Sequence, residues 1–93
     1  MLTEHTKKAL KKAAEVICNK NNLPHVYFSQ KFGKRRHFIT GCGEETFTKT
    51  RHREITEMIT LSWEGTMTDK KAQQAIEPFA KLLDRVQEEL NQS

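Results

Sequence analysis

The spacing of the apolar residues changes twice along the chain, from a helical period of about 3.6 to a strand period of about 2 at His25, and back after Gly65. Before His25, one apolar stripe at helical spacing consists of Leu10, Ala13, Ala14 and Ile17. Thr3 is a typical helix N-cap, and Pro24 cannot continue a helix. The sequence therefore predicts a first helix over residues 3–20, followed by a sheet.

A β-hairpin is predicted next. Residues 25–32 alternate as a strand, with an aromatic face from which we expect Phe28 and Phe32 to pack beneath the helices. Gly33 marks a turn, and residues 38–43 form a shorter second strand that ends in a Gly-Cys-Gly sequence. Three consecutive cations fall at the hairpin tip or on the returning strand, and these are Lys34, Arg35 and Arg36.

The rest of the chain predicts one strand and one helix. Residues 54–63 alternate again, with four large apolar side chains facing the core, from Ile55 to Trp63, and a Thr- and Ser-rich face directed to solvent. Apolar residues at helical spacing then occupy 72–90 and predict a last helix. Pro78 lies within it, and a proline inside a helix removes a backbone hydrogen bond, so we expect a kink or break there. The polar segment 44–53 gives no clear prediction of its conformation.

Together these elements predict an α+β fold in a single domain over residues 1–93. We expect the order α-β-β-β-α, with a three-stranded antiparallel sheet, both helices packed on one face, and the last helix kinked or broken near Pro78. No stretch approaches about 18 uninterrupted apolar residues, and the start of the chain lacks the pattern of a secretory signal. We therefore expect a cytoplasmic protein that has no membrane segment.

Basic residues are concentrated in the first part of the chain. Residues 1–53 carry a net charge of +8 and residues 54–93 carry −4, which together give the total of +4. Such a distribution fits a basic face for phosphates or for an acidic protein. The same distribution equally fits a protein in which the basic and the acidic parts of the chain neutralise each other, within the fold or across a dimer. Charge therefore bears on the partners of this chain rather than on its fold.

The chain lacks the motifs of common enzymes. It has no Gly-rich phosphate loop, since the glycine turn at 41–43 lacks the Lys and Ser/Thr of such a loop. His37, Cys42 and His52 are weak evidence for a thiolate–imidazole pair, and they match no structural zinc spacing. We therefore predict no catalytic residues, no metal and no cofactor, and we favour a binding protein over an enzyme. Cys18 and Cys42 are predicted to be reduced thiols.

Cations interleaved with aromatic residues are the strongest functional signal. Side chains of this kind contact phosphate oxygens, and free aromatic rings stack on unpaired bases. We expect Tyr27 and Phe47 to be the rings available for stacking. The predicted binding residues are Lys31, Lys34, Arg35, Arg36, His37, Lys49, Arg51, Arg53 and Tyr27, with Lys7, Lys8, Lys11 and Lys12 as outer contacts on the first helix.

The predicted α-β-β-β-α order resembles the double-stranded-RNA-binding domain. The first helix ends before Pro24 and a strand, and the last helix opens with a capped, lysine-rich turn at 68–72, where that family presents lysines to phosphates. The resemblance implies that Lys70 and Lys71 contact RNA, whereas Asp69 and the later proline depart from the family. It covers the topology and only a few motif positions, so it makes RNA a partner to test and assigns no family.

We predict a small basic cytoplasmic protein that contacts nucleic acid through the hairpin and the segment that follows it. The alternative is a protein-interaction or inhibitor module, of the kind that phages and mobile elements carry, with the same basic patch against an acidic protein. A metal-independent small ribonuclease is a third hypothesis, because His25, Tyr27 and Lys31 share the hairpin with the arginines. The last helix also offers a homodimer surface, through Leu82, Val86 and Leu90.

Overall fold

The computed structural model describes residues 2–43 and 50–92 of an α+β fold with one antiparallel sheet. Its elements are α1 (Glu4–Lys20), β1 (His25–Phe32), β2 (Arg35–Gly43), β3 (Arg51–Glu54), β4 (Ile59–Glu64), α2 (Asp69–Ile76) and α3 (Ala80–Asn91), with a 3-10 turn at Glu77–Phe79. The strands lie in the order β2-β1-β4-β3, and each neighbouring pair is antiparallel. Among the described residues, no helix combines the length and apolarity that crossing a membrane requires.

Helix α1 forms where the sequence predicts it. The hydroxyl oxygen of Thr3 accepts a hydrogen bond from the backbone N–H of Thr6 at 3.2 Å, which caps the first turn. The predicted stripe from Leu10 to Ile17 is buried against the sheet. After the helix, Asn22 adopts a left-handed conformation with a φ of 53°, which turns the chain toward β1.

The sheet has four strands, so the predicted three-stranded sheet and the α-β-β-β-α order are wrong. The strand expected over 54–63 begins only at Ile59, as β4, and the additional strand, β3, lies almost entirely ahead of it; a tight turn at 55–58 joins the two. The hydroxyl oxygen of Thr56 makes this turn, because it accepts hydrogen bonds from the backbone N–H groups of Met58 and Ile59 at 3.2 and 3.0 Å. The additional hairpin also removes the topological likeness to the double-stranded-RNA-binding domain.

The last helix is broken at the proline that interrupts its apolar stripe. Helix α2 is capped by the hydroxyl of Thr68, which accepts the backbone N–H of Lys71 at 3.2 Å. Pro78 lies in the 3-10 turn between α2 and α3, at the position where a missing N–H is best tolerated. Val86 and Leu90 of α3 are buried in the core. Most of the stripe on which the predicted homodimer depends is therefore used by the fold.

The core lies between the helices and one face of the sheet. Its largest fully buried apolar side chains are Trp63, Phe28, Leu10, Ile17, Ile59, Leu61, Val26 and Val86. The indole nitrogen of Trp63 donates to the backbone oxygen of Met67 at 2.9 Å, so this ring is satisfied within the core. Phe28 packs beneath the helices as predicted. The prediction for Phe32 is wrong: its side chain is 50% exposed, because the hairpin extends past the helices.

A β-bulge in β2 decides which of its side chains reach the surface. The register pairs Phe28 with Thr40 and then Ser29 with Phe38, so Ile39 is the extra residue without a partner on β1. Ile39 stays buried in the core, whereas Phe38 turns to the opposite face of the sheet and is 67% exposed. Without the bulge, a strict period of about 2 would place Phe38 on the helix side together with Thr40.

Candidate nucleic-acid interface

The face of the sheet that points away from the helices carries polar, charged and aromatic side chains, and we call it the open face. The strand registers arrange these residues in rows across the sheet. The first row pairs His25 with Glu64, the second holds Gly41, Tyr27, Ser62 and His52, the third holds Phe38, Ser29, Thr60 and Glu54, and the fourth holds Arg36 and Lys31. The open face thus unites Tyr27, Lys31 and Arg36 of the predicted binding residues.

Three aromatic rings follow one another on the open face. The ring of Tyr27 lies between those of His25 and Phe38, with centroids 4.9 and 5.9 Å away. Phe38 is the most exposed large apolar side chain among the described residues. An exposed ring next to a second ring buries little surface in the folded chain. The exposed face of the Phe38 ring can therefore stack against another flat group.

Two cations continue the open face beyond the rings. Arg36 and Lys31 are cross-strand partners, and Lys31 forms an ion pair with Glu54 of β3. The hydrogen bond and the charge of that ammonium, with a smaller contribution from Arg36, hold the pKa of the Glu54 carboxyl below its ordinary value of 4.5. Because β1 and β3 are not neighbours, the ion pair crosses strand β4.

His52 lies at the far edge of the open face, on β3. Its Nδ1 atom is 2.7 Å from the hydroxyl oxygen of Ser62 on the adjacent strand. Partial burial against the sheet lowers the pKa of the His52 ring from 6.5, and the positive charge of Arg36 lowers it further. The ring is therefore mainly neutral at pH 7, and it contributes hydrogen bonds rather than charge to this surface.

Short hydroxyl side chains form the floor of the open face. Thr60 and Ser62 are fully buried, so the expectation that the polar side of this strand faces solvent is wrong. Both residues lie on β4, a central strand with β1 on one side and β3 on the other. Ser29 lies directly opposite Thr60 and is 1% exposed. Within the described part of the chain, neither the Ser29 nor the Thr60 hydroxyl has a hydrogen-bond partner.

The hairpin tip carries the other predicted cations of this region. Lys34 occupies the turn, and Arg35 and His37 are exposed on the first residues of β2. The rings of His37 and Phe32 meet edge to face, with centroids 5.0 Å apart. Because Arg35 and His37 alternate with Arg36, they project to the side of the hairpin opposite the open face.

Arg51 and Arg53 point toward α2 rather than onto the open face. The guanidinium of Arg51 donates to the backbone oxygen of Met67 at 3.0 Å. Arg53 donates two N–H groups to the side-chain oxygen of Gln73, at 3.2 and 2.9 Å. Both arginines therefore have protein partners on the helix side of the sheet, on a different surface from Lys31.

The lysines of α1 form a further separate surface. They are exposed on the side of the helix away from its buried stripe, and they are Lys7, Lys8, Lys11 and Lys12. Of these four, Lys7 lines a shallow depression at the edge of the sheet that Gln30 and Phe38 also line. Two more predicted residues, Phe47 and Lys49, lie outside the described residues. Whether any of these groups binds nucleic acid stays a prediction.

The described residues contain no group of three or more His, Cys, Asp or Glu side chains placed to hold a metal ion. Cys42 is the partner of Val26 on the helix side, whereas His52 lies on the open face, so the sheet separates this thiol from that imidazole. The thiol of Cys18 donates to the backbone oxygen of Leu23 at 2.9 Å. Burial and the neighbouring Cys42 raise the pKa of Cys18, which keeps it a thiol rather than a reactive thiolate.

Sequence reasoning missed Phe38, Ser29, Thr60 and His52 as members of one surface. The bulge that exposes Phe38 has no marker in the sequence. The hydroxyl floor does have one, since every second residue of β4 from Thr60 is short or polar while the residues between are large and apolar. The pairing of Ser29 with Thr60 can be predicted only if the strand order is known, and the sequence did not predict the hairpin of β3 and β4.

No protein-family model, curated protein or solved structure matches the chain. The geometry of the open face is therefore the basis on which its function can be inferred.

Proposed function

We propose that this protein binds single-stranded nucleic acid on the open face. The observation that carries the proposal is the pair of rings, Tyr27 and Phe38, next to two cations, Arg36 and Lys31, on one exposed sheet surface. Aromatic rings on a sheet stack on unpaired bases, and neighbouring cations contact the phosphates that link those bases. The open face contains both kinds of group within a few residues of each other.

The rings favour a single strand over a duplex. Paired bases are stacked inside a duplex and cannot lie on Phe38, whereas an unpaired base can lie flat on an exposed ring. The net charge of +4 is modest, and residues 54–93 are acidic, so electrostatic attraction to any duplex has limited support. The stacking surface is therefore the basis of the specificity that we propose.

The test compares short single-stranded RNA and DNA with the corresponding duplexes, in a binding titration at low and at moderate salt. We expect the single strands to bind more tightly, with an affinity that falls as salt rises. Phe38→Ala should weaken single-strand binding about 5- to 100-fold, the usual loss when one base loses its stacking partner. A duplex preference, or an unchanged affinity of Phe38→Ala, would contradict the proposal.

Phe32→Ala is the matched control. Phe32 is also an exposed phenylalanine of the hairpin, but it lies on the side opposite the open face, against His37. We expect this variant to bind single strands as the wild type does. Equal losses in both variants would mean that the hairpin makes general apolar contacts. Absence of binding to all four nucleic acids at low salt would favour an acidic protein as the partner.

A further inference from the structure

Two buried hydroxyls of the open face have no hydrogen-bond partner among the described residues, so they are free to donate to a ligand. Ser29 Oγ and Thr60 Oγ1 belong to cross-strand partners at the centre of the sheet, and both are enclosed. Burying a hydroxyl without a hydrogen bond costs stability, and folded proteins rarely keep such groups without a reason. Two of them side by side, on the surface that carries the cations, indicate a binding site whose donors are already in place.

An ion pair lies across this position. Lys31 is two residues after Ser29 on β1, and Glu54 is the cross-strand partner of Thr60 on β3. Their side chains meet on the open face, so the bridge between them passes over β4 beside Thr60. The carboxylate of Glu54 therefore occupies the place that an external anion would take beside the Lys31 ammonium.

We propose that Lys31, Arg36 and the hydroxyls of Ser29 and Thr60 form a phosphate subsite, which a backbone phosphate of the bound strand enters by displacing Glu54 from Lys31. This inference rests on the proposed function, and it names the group that the centre of the open face recognises. A phosphodiester and a carboxylate both offer oxygen acceptors that carry negative charge, so one can replace the other beside an ammonium. The phosphate gains the two hydroxyl donors, which Glu54 leaves unused in the free protein.

The carboxylate of Glu54 competes with external anions for the ammonium of Lys31. Glu54 neutralises Lys31 in the free protein, so small anions and weakly held strands must break an existing ion pair to bind. A strand that also stacks on Phe38 gains enough additional contact to do so. Glu54 therefore suppresses non-specific anion binding and ties the use of the phosphate subsite to base stacking.

The hydroxyl arm of the test uses Thr60→Val and Ser29→Ala. Each removes a hydroxyl that lacks a partner, so the melting temperature should stay equal or rise, while affinity for single-stranded RNA falls about 10- to 100-fold, as expected for one hydrogen bond to a charged group. Thr40→Val is the matched control, because Thr40 is a buried threonine on the helix side of the sheet. It should leave the affinity unchanged.

The carboxylate arm uses Glu54→Gln, with Glu57→Gln as a control of equal charge change in the exposed turn. Glu54→Gln should bind single strands more tightly than Glu57→Gln, and the gain should persist with an abasic oligonucleotide, which has phosphates but no bases to stack. The phosphate subsite is wrong if Thr60→Val binds as the wild type does and the two glutamine variants bind equally. The proposed function survives that result if Phe38→Ala still loses affinity, and it fails separately if no single strand binds.

Discussion

Gly41 lies directly opposite Tyr27 in the sheet, and a Cβ atom at position 41 would lie 2.5 Å from the Cβ atom of Tyr27 and 2.7 Å from the backbone oxygen of Val26. Real Cβ atoms do not approach other atoms so closely, and the backbone of β1 cannot give way without shifting the strand. The glycine therefore sets the position from which the Tyr27 ring extends toward Phe38.

Gly41→Ala should displace Tyr27 and weaken single-strand binding. Overpacking at a site bounded by backbone typically lowers the free energy of unfolding by about 1–3 kcal/mol, and we expect a loss in that range. Binding to single-stranded RNA should fall as well, because Tyr27 no longer aligns with Phe38. The measurements are a denaturant titration and a binding isotherm, both below the unfolding transition.

Gly33→Ala separates this effect from the general cost of replacing a glycine. Gly33 has a φ of 60° in the hairpin turn, and nothing lies near the position of an added Cβ atom. Its replacement should lower stability by about 1–2 kcal/mol through backbone strain alone and leave binding unchanged. If Gly41→Ala kept full affinity while Gly33→Ala lost it, the role assigned to the Tyr27–Gly41 contact would be wrong.

Most of the helical structure could be predicted from the sequence, because its signals are local. The stripe from Leu10 to Ile17, the cap at Thr3 and the break at Pro78 each depend on neighbours within a few residues. The first hairpin is local in the same sense, since Gly33 supplies the turn that its strands require. Such features follow from propensity and capping without knowledge of the tertiary fold.

The second hairpin could not be predicted because its turn uses none of the usual turn residues. Segment 55–58 lacks Gly, Pro and Asn, and its turn depends on the Thr56 hydroxyl, which also donates to the side-chain oxygen of Gln87 on α3 at 2.7 Å. The alternation of residue types continues through the turn, so one long strand is the natural interpretation. The hydroxyl that makes this turn is thus also bonded to a helix that is distant in the sequence.

The candidate site was only partly predictable for a related reason. The sequence identified the cations, but it did not separate Arg36, on the open face, from Arg53, which is bonded to Gln73. That separation depends on strand order and on the bulge at Ile39, which are tertiary properties. Composition predicted a basic surface, and only the register shows which cations share it with aromatic rings.

Glu89 should make the stability of the fold depend on pH in the acid range. Its carboxylate accepts the backbone N–H of Thr3 at 2.9 Å and the hydroxyl of Thr6 at 2.6 Å, and these hydrogen bonds hold its pKa below the ordinary 4.5. Since the folded pKa lies below the unfolded one, the unfolded chain binds more protons as pH falls. The stabilisation is therefore complete above about pH 4.5 and is lost as pH falls through the folded pKa.

Glu89→Gln should lower the melting temperature at neutral pH, and its difference from the wild type should shrink as the pH falls below the ordinary carboxyl pKa of 4.5. Glu88→Gln is the control, since Glu88 is the exposed neighbour on the same helix. Melting curves across this pH range make the comparison. A gap between Glu89→Gln and the wild type that stays constant with pH would show that Glu89 does not hold α1 through its charge.

Charge reversal at the hairpin distinguishes a defined interface from attraction by net charge. Changing Lys34, Arg35 and Arg36 to Glu should abolish binding to single-stranded RNA at moderate salt, because it removes Arg36 from the open face and two cations from the adjoining tip. All three side chains are exposed, so the melting temperature should change little. Any residual binding should show a salt slope reduced by at least about 0.7, the value for one lost phosphate contact on a single strand.

The matched variant changes Lys8, Lys11 and Lys12 of α1 to Glu, which alters the net charge by the same amount on a surface that the open face does not include. We expect it to weaken binding slightly and to leave the salt slope near that of the wild type, since long-range attraction is screened beyond about 8–10 Å. If both triple variants lost the same affinity and slope, the cations would act only through net charge. Arg36 would then have no defined phosphate partner, and the assignment of the hairpin to the interface would have to be abandoned.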